Sequence, residues 1–255
     1  MRLDRCRRCE GTGHTISLCS AESSCDACSG SGQHTRVVAL IQARLGSSRF
    51  PRKVLAQILG KPMLQHVYDR ACRIAGVHDV RVIAPVGDTF PGVCAPMWRP
   101  AVSAEDVHGR YPIAADWAQA DELLRLTGDC PVLDPALCTE MLTLFLTNPD
   151  PVGLEYLSND WRSSGYPSGL DCEIFTREAL DEANAIGNLD PYDREHVTPW
   201  LKRWARSETV RVPVPWAGPA KLSVDTPEDL AAVTAWLGGQ PSLPPDGVPT
   251  LVTAT

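Results

Sequence analysis

No stretch of 18 apolar residues occurs in this chain, so no membrane-spanning helix is expected. The opening residues MRLDRCRRCEG carry no apolar run behind their basic residues. That speaks against a secretory leader and makes the cytoplasm the expected compartment. Excess positive charge is also missing. Against 31 Asp and Glu stand 24 Lys and Arg, a net charge of −7 at pH 7. A broad grip on nucleic acid or an anionic membrane is therefore not expected. Ten cysteines in 255 residues are too few for a disulfide scaffold. The phosphate-loop pattern G-x-x-x-x-G-K-[ST] is absent as well.

What remains is an ordinary globular composition, 44% apolar and 22% charged. The length suits one or two domains with a sizeable core. Three zones are expected. Residues 1–35 are rich in Cys, Gly and Ser. Residues 36–238 alternate strand-like and helix-like segments. Residues 239–255 carry four prolines and no helical period, and read as a disordered tail.

In the first zone Cys6, Cys9, Gly11 and Gly13 form a C-x-x-C-x-G-x-G unit, which Cys25, Cys28, Gly30 and Gly32 repeat. Two such knuckles supply four thiolates, the donor set of a closed tetrahedral zinc site. A structural zinc on Cys6, Cys9, Cys25 and Cys28 is the expectation. The unit resembles the cysteine-rich repeats of DnaJ-type chaperones, without any J-domain sequence beside it. The scattered Cys72, Cys94, Cys130, Cys138 and Cys172 read as buried small apolar residues.

In the middle zone, Val37–Ile41, Val80–Ala84 and Leu123–Leu126 read as buried strands. The spacing from Met63 to Ile74 predicts a helix. Further helices are expected at Pro135–Leu146 with Asp134 as N-cap, and at Thr176–Ala185, Tyr192–Ala205 and Pro227–Leu237, the last capped by Thr226. The stretch from Pro85 to Pro100 reads as a long loop. Strands alternating with helices imply an α/β fold with a mainly parallel sheet. In such sheets ligands bind beyond the carboxyl ends of strands. The loop Gln42–Lys53 follows the first strand there. It offers Gln42, Gly46, Ser48 and the cations Arg44, Arg49, Arg52 and Lys53, a set suited to phosphate. Asp129 follows the third strand, and Asp225 is expected to end a late strand. The two carboxylates are candidates for one magnesium beside a triphosphate.

The segments IQARLGSSRFPRKVL (41–55), LGKPMLQHV (59–67), EDVHGRY (105–111), RLTGDCPVLDP (125–135), YPSGLDCEIF (166–175), REHVTPW (194–200) and SVDTPEDL (223–230) resemble the cytidylyltransferases that make CMP-activated sugar acids. The likeness is to the spore-coat polysaccharide branch. It implies a Rossmann-like nucleotidyltransferase fold, a mainly parallel mixed sheet flanked by helices, and a homodimer as assembly. It also implies a magnesium-dependent enzyme transferring CMP from CTP to a sugar or sugar acid and releasing pyrophosphate. On that resemblance Arg44, Lys53, Asp129 and Asp225 are catalytic. Gln42, Arg44, Gly46, Ser48, Arg49 and Lys53 hold the nucleotide. Tyr166, Asp171, Glu173, Arg194 and His196 are acceptor candidates. Where relatives usually have Gly, this chain has Arg52, and the 85–100 segment lacks their helix. Two other readings are a nucleotide-sugar glycosyltransferase or relative using another nucleotide, and a non-catalytic zinc-knuckle adaptor. The first is disfavoured because no Asp-x-Asp motif is present.

Overall fold

The computed structural model describes residues 14–16, 22–24, 35–148, 153–211 and 219–239. The chain divides into two compact units, residues 1–36 and 37–255. In the first, β1 (His14–Ile16) pairs antiparallel with β2 (Glu22–Ser24). The knuckle cysteines Cys6, Cys9, Cys25 and Cys28 lie outside the described residues, as does the Pro-rich tail.

The second unit opens with β3 (Val37–Gln42), a hairpin of β4 (Gln57–Ile58) and β5 (Lys61–Pro62), helix α1 (Met63–Ala71), β6 (Asp79–Ile83) and the edge strand β7 (Met97–Trp98). Then come α2 (Arg110–Ala118), β8 (Glu122–Thr127), α3 (Pro135–Leu146), β9 (Tyr156–Ser158), α4 (Trp161–Ser164), β10 (Glu173–Thr176) and α5 (Arg177–Ala185). The unit continues through α6 (Pro191–His196), α7 (Pro199–Trp204), β11 (Ser207–Thr209) and α8 (Pro227–Gly239). The main sheet runs β11-β9-β10-β8-β3-β6-β7. Its pairings are parallel except at β10, which runs antiparallel to both β8 and β9. This is the expected mostly parallel mixed sheet.

Strand β3 shows why the sheet is a middle layer. Its side chains alternate between faces, yet all but the last residue are buried. Val37, Ala39 and Ile41 pack with Leu64 and Val67 of α1, Leu137 and Met141 of α3, and Val233 of α8. Val38 and Leu40 pack with Ala114 of α2, Leu180 of α5 and Leu201 of α7. A strand buried on both faces needs helices on both sides.

Local chemistry sets the helix ends. The Asp134 carboxylate accepts the amides of Ala136 and Leu137, and the Thr176 hydroxyl accepts that of Ala179. At α8 the cap is reciprocal. Thr226 Oγ1 accepts the Asp229 amide at 3.2 Å, while Asp229 Oδ2 accepts the amides of Thr226 and Asp225 at 3.0 and 2.9 Å.

Four expectations need correction. The predicted helix Tyr192–Ala205 is two helices, broken at Val197, whose φ of 71° no α-helix can hold. The loop from Pro85 to Pro100 contains β7 on the sheet edge. Among the described residues, no strand ends at Asp225. The segment before it is joined to Ser168 by one parallel bridge at Lys221. Cys130, Cys138 and Cys172 are buried, but Cys72 and Cys94 are exposed.

Candidate active site

The carboxyl ends of β3 and β8 lie side by side, with Gln42 opposite Thr127. Beyond them the chain turns twice. After β8, the Gly128 amide donates to the Gln42 carbonyl at 2.8 Å. A Cβ at Gly128 would meet that carbonyl and Leu64 Cδ1, each at 3.1 Å. Glycine lets the two strand ends approach, and Asp129 emerges next to the loop that follows β3.

That loop is pinned at both ends. The Asp88 carboxylate accepts the Leu45 amide at 2.8 Å, and the Arg52 amide donates to the Leu45 carbonyl at 3.0 Å. Arg52 itself is left-handed, with φ 57° and ψ 25°. The position where relatives usually carry Gly is thus one whose backbone favours it. The turn launches a short 3-10 segment, Lys53–Leu55, whose first residue is the lysine.

Lys53 Nζ lies 2.7 Å from Asp129 Oδ2 and 3.0 Å from Asp225 Oδ1. Burial works to lower the Lys53 pKa, but the Asp129 and Asp225 carboxylates outweigh it and raise the pKa overall. Burial likewise works to raise the Asp225 carboxyl, and its Lys53 and Lys221 partners carry it below the usual range. Arg49 Nη2 reaches the same Asp225 oxygen at 3.0 Å. The Val224 amide donates to the Asp129 carbonyl at 2.9 Å, which ties the two aspartate-bearing segments together.

Two cavities meet at this point. One, of about 320 Å³, is lined by Gln42, Arg44, Ser47, Ser48, Arg49, Lys53 and Glu195 among others. The other, of about 380 Å³, is lined by Arg125, Asp160, Trp161, Asp171, Glu173 and Lys202 among others. Thr127, Asp129, His196 and Asp225 line both. The first has the cations and hydroxyls for a phosphate chain, and the second is rich in carboxylates and hydrogen-bonding groups.

The nucleotide-loop candidates therefore gather at one cavity, except Gly46, which does not line it. Of the acceptor candidates, Asp171, Glu173 and His196 line the second cavity. Tyr166 and Arg194 do not. Tyr166 is buried in the core, and Arg194 pairs with Asp106 at 3.4 Å and donates to the Gly187 carbonyl. Glu173 is engaged by protein groups. It pairs with Arg125 and accepts the hydroxyls of Tyr156 at 2.6 Å and Thr198 at 2.7 Å. Sequence reasoning missed Arg125 and Asp88, and the Glu195 carboxylate faces Arg44 at 3.4 Å. Arg125 had a signal, a charge inside an otherwise apolar strand, which requires a buried partner.

The donor set suits magnesium. Asp129 and Asp225 are two carboxylates held on one cation, and both open on the cavity that carries phosphate-binding groups. Among the described residues, no group of three or more His, Cys, Asp or Glu forms a metal cluster. A magnesium here would therefore complete its shell from phosphate and water.

Residues 38–211 match the family model described as Cytidylyltransferase. An 8-amino-3,8-dideoxy-manno-octulosonate cytidylyltransferase of Shewanella piezotolerans is 37% identical over 127 residues, 48% of this chain and 52% of that protein. A 3-deoxy-manno-octulosonate cytidylyltransferase of Trichlorobacter lovleyi is 34% identical over 117 residues, 45% of this chain and 46% of that protein. The chain thus spans about half the length of the curated relatives it matches. The solved structure of a cytidylyltransferase from Leptospira borgpetersenii aligns with a TM-score of 0.73 at 27% identity, over 84% of this chain and 91% of that one. No helix among the described residues is long and apolar enough to cross a membrane. The family match takes in more than half of the sequence, including β3, β8 and the loops that bring Lys53 to Asp129, and the chain belongs to the cytidylyltransferase family.

Proposed function

We propose that the protein transfers CMP from CTP to a sugar acid, releasing pyrophosphate. The observation that carries this reading is Lys53 Nζ set between Asp129 and Asp225 where the two cavities join. In the reaction, an acceptor hydroxyl attacks the α-phosphorus, a P–O bond forms, and the bond to pyrophosphate breaks. The hydroxyl proton leaves to solvent. Asp129 and Asp225 would hold magnesium, which supplies charge neutralisation at the phosphate oxygens. Arg44, Arg49 and Lys53 offset the charge on the leaving pyrophosphate, and Ser47 and Ser48 offer hydroxyls to the phosphate chain. Gln42 is fixed for its role at the cavity wall. Its Oε1 accepts from Tyr111 Oη at 3.2 Å and Arg125 Nη2 at 3.1 Å. The cytoplasm and a homodimer belong to the same reading.

Pyrophosphate release tests it, with each nucleoside triphosphate, magnesium and a panel of ulosonic acids. Release with CTP and one acceptor is the expected result. Release with another triphosphate would move the base specificity, and CTP binding without turnover across the panel would favour the adaptor reading.

The paired C-x-x-C-x-G-x-G units support a structural zinc on Cys6, Cys9, Cys25 and Cys28. Metal analysis should find one zinc per chain, lost when Cys6 and Cys25 are changed to Ser. A zinc content unchanged in that double variant would refute the site.

A further inference from the structure

We propose that Lys221 and Asp229 are positioning residues that orient the Asp225 carboxylate for a metal, an inference that rests on the magnesium reading above. The two oxygens of Asp225 have different surroundings. Oδ1 takes Lys53 and Arg49, each at 3.0 Å, and both cations line the nucleotide cavity. Oδ2 takes Lys221 Nζ at 3.2 Å, and Lys221 lines neither cavity. Lys221 is therefore not placed to touch substrate. It occupies one carboxylate oxygen and leaves the other to the groups that meet where the cavities join.

Lys221 is itself held. Its ammonium lies 2.6 Å from Asp229 Oδ2, closer than to Asp225. The same Asp229 oxygen accepts the amides of Asp225 at 2.9 Å and Thr226 at 3.0 Å. One atom thus fixes the Asp225 backbone directly and its side chain through Lys221. The segment between them is fastened as well. The Ser168 carbonyl accepts the amides of Leu222 at 2.6 Å and Ser223 at 3.0 Å, and the Val224 amide donates to the Asp129 carbonyl at 2.9 Å. Four consecutive amides, from Leu222 to Asp225, are engaged by fixed acceptors.

Helix capping does not account for this arrangement. Thr226 and Asp229 cap α8 between themselves, and that exchange has no use for a cation at position 221. A metal ligand does. Magnesium demands near-octahedral geometry, so the direction of each ligand oxygen matters. Losing an outer partner of a ligand typically costs about 10–100-fold in metal affinity or activity. The charge of Lys221 by itself acts in the opposite sense, because a cation beside the ligand repels a metal. Removing Lys221 therefore separates the two roles. Lost orientation weakens metal binding, and lost repulsion tightens it.

The test measures CTP binding to the full chain by calorimetry, without acceptor, at zero and at saturating magnesium. The unmodified chain should bind CTP more tightly with magnesium. Lys221→Met keeps an unbranched stem at a partly exposed site. It should lose most of that gain and bind CTP normally without magnesium. In pyrophosphate release it should need about tenfold more magnesium for half-maximal rate. Asp229→Asn keeps an oxygen for the two amides, so α8 stays capped, but it releases Lys221. Its shift should run the same way, and the double variant should be no worse than Lys221→Met, since the pair acts as one unit. A magnesium gain in Lys221→Met equal to or larger than in the unmodified chain overturns the positioning role. Lower melting temperatures with an unchanged magnesium dependence do so too, because the pair would then serve the cap alone. If the unmodified chain itself gains nothing from magnesium, the metal reading fails and this inference falls with it. The two failures are thus told apart by the unmodified chain.

Discussion

Asp129→Asn should lower pyrophosphate release by about 10²–10³-fold or more while leaving the fold intact. The substitution removes one of the two carboxylates proposed to carry magnesium, at a point where charge develops on the phosphates. It touches little else. Lys53 Nζ keeps Asp225 at 3.0 Å, and the Asp129 carbonyl, which the substitution does not alter, still accepts the Val224 amide. Thermal melting should therefore stay within about 2 °C of the unmodified chain, the range of a change below 1 kcal/mol in a domain of this size. CTP binding without magnesium should persist, because Arg44, Arg49 and Lys53 remain. Asp225→Asn should follow the same pattern in activity. A folded Asp129→Asn protein within about tenfold of normal turnover would end the metal-ligand role.

Much of this site could be read from the sequence because strand ends are local events. An apolar run such as Val37–Ile41 announces a buried strand, and the polar loop after it must lie at the sheet's carboxyl edge. Helices α3, α5 and α8 were equally legible, since Asp134, Thr176 and Thr226 cap them through their own neighbours. The break between α6 and α7 had a weaker sign. Pro199 suits the first position of a new helix, and α7 starts there. The two residues of β7 are too few to show any period. The acceptor side was the least legible part. Polar residues at Tyr166, Glu173 and Arg194 mark a polar region, but sequence spacing does not say whether a group faces a cavity or another side chain. Arg194 turns to Asp106, 88 positions away in the chain, and Glu173 turns to Arg125, 48 away. Such pairings depend on tertiary geometry.

Glu173 carries the largest expected effect on stability. Burial alone would raise its carboxyl, but Arg125, Lys202 and the hydroxyls of Tyr156 and Thr198 hold it down to about 2. Arg125 in turn donates to Gln42, which also accepts from Tyr111. One buried network thus links β10, β8, β3 and α2, and joins the walls of both cavities. Glu173→Gln removes the charge and leaves the Arg125 guanidinium buried without a counterion. Breaking one side of such a pair costs about 3–5 kcal/mol, a drop of roughly 6–20 °C in melting temperature for a domain of this size. The pH dependence gives a second, independent reading. The folded value lies below the ordinary 4.5 of a glutamate. The unfolded chain therefore binds the proton first as pH falls. The stabilisation is fully present above about 4.5 and is lost as pH descends toward about 2, and its full size is about 3 kcal/mol. Urea unfolding followed from pH 6 to pH 2 should show that acid limb in the unmodified chain and a shallower one in Glu173→Gln. If the variant melts normally and keeps the full acid limb, Glu173 is free to face the acceptor, and its place in the buried network is wrong. If it melts early with the limb flattened, loss of activity in the variant reports a collapsed wall rather than a missing sugar contact.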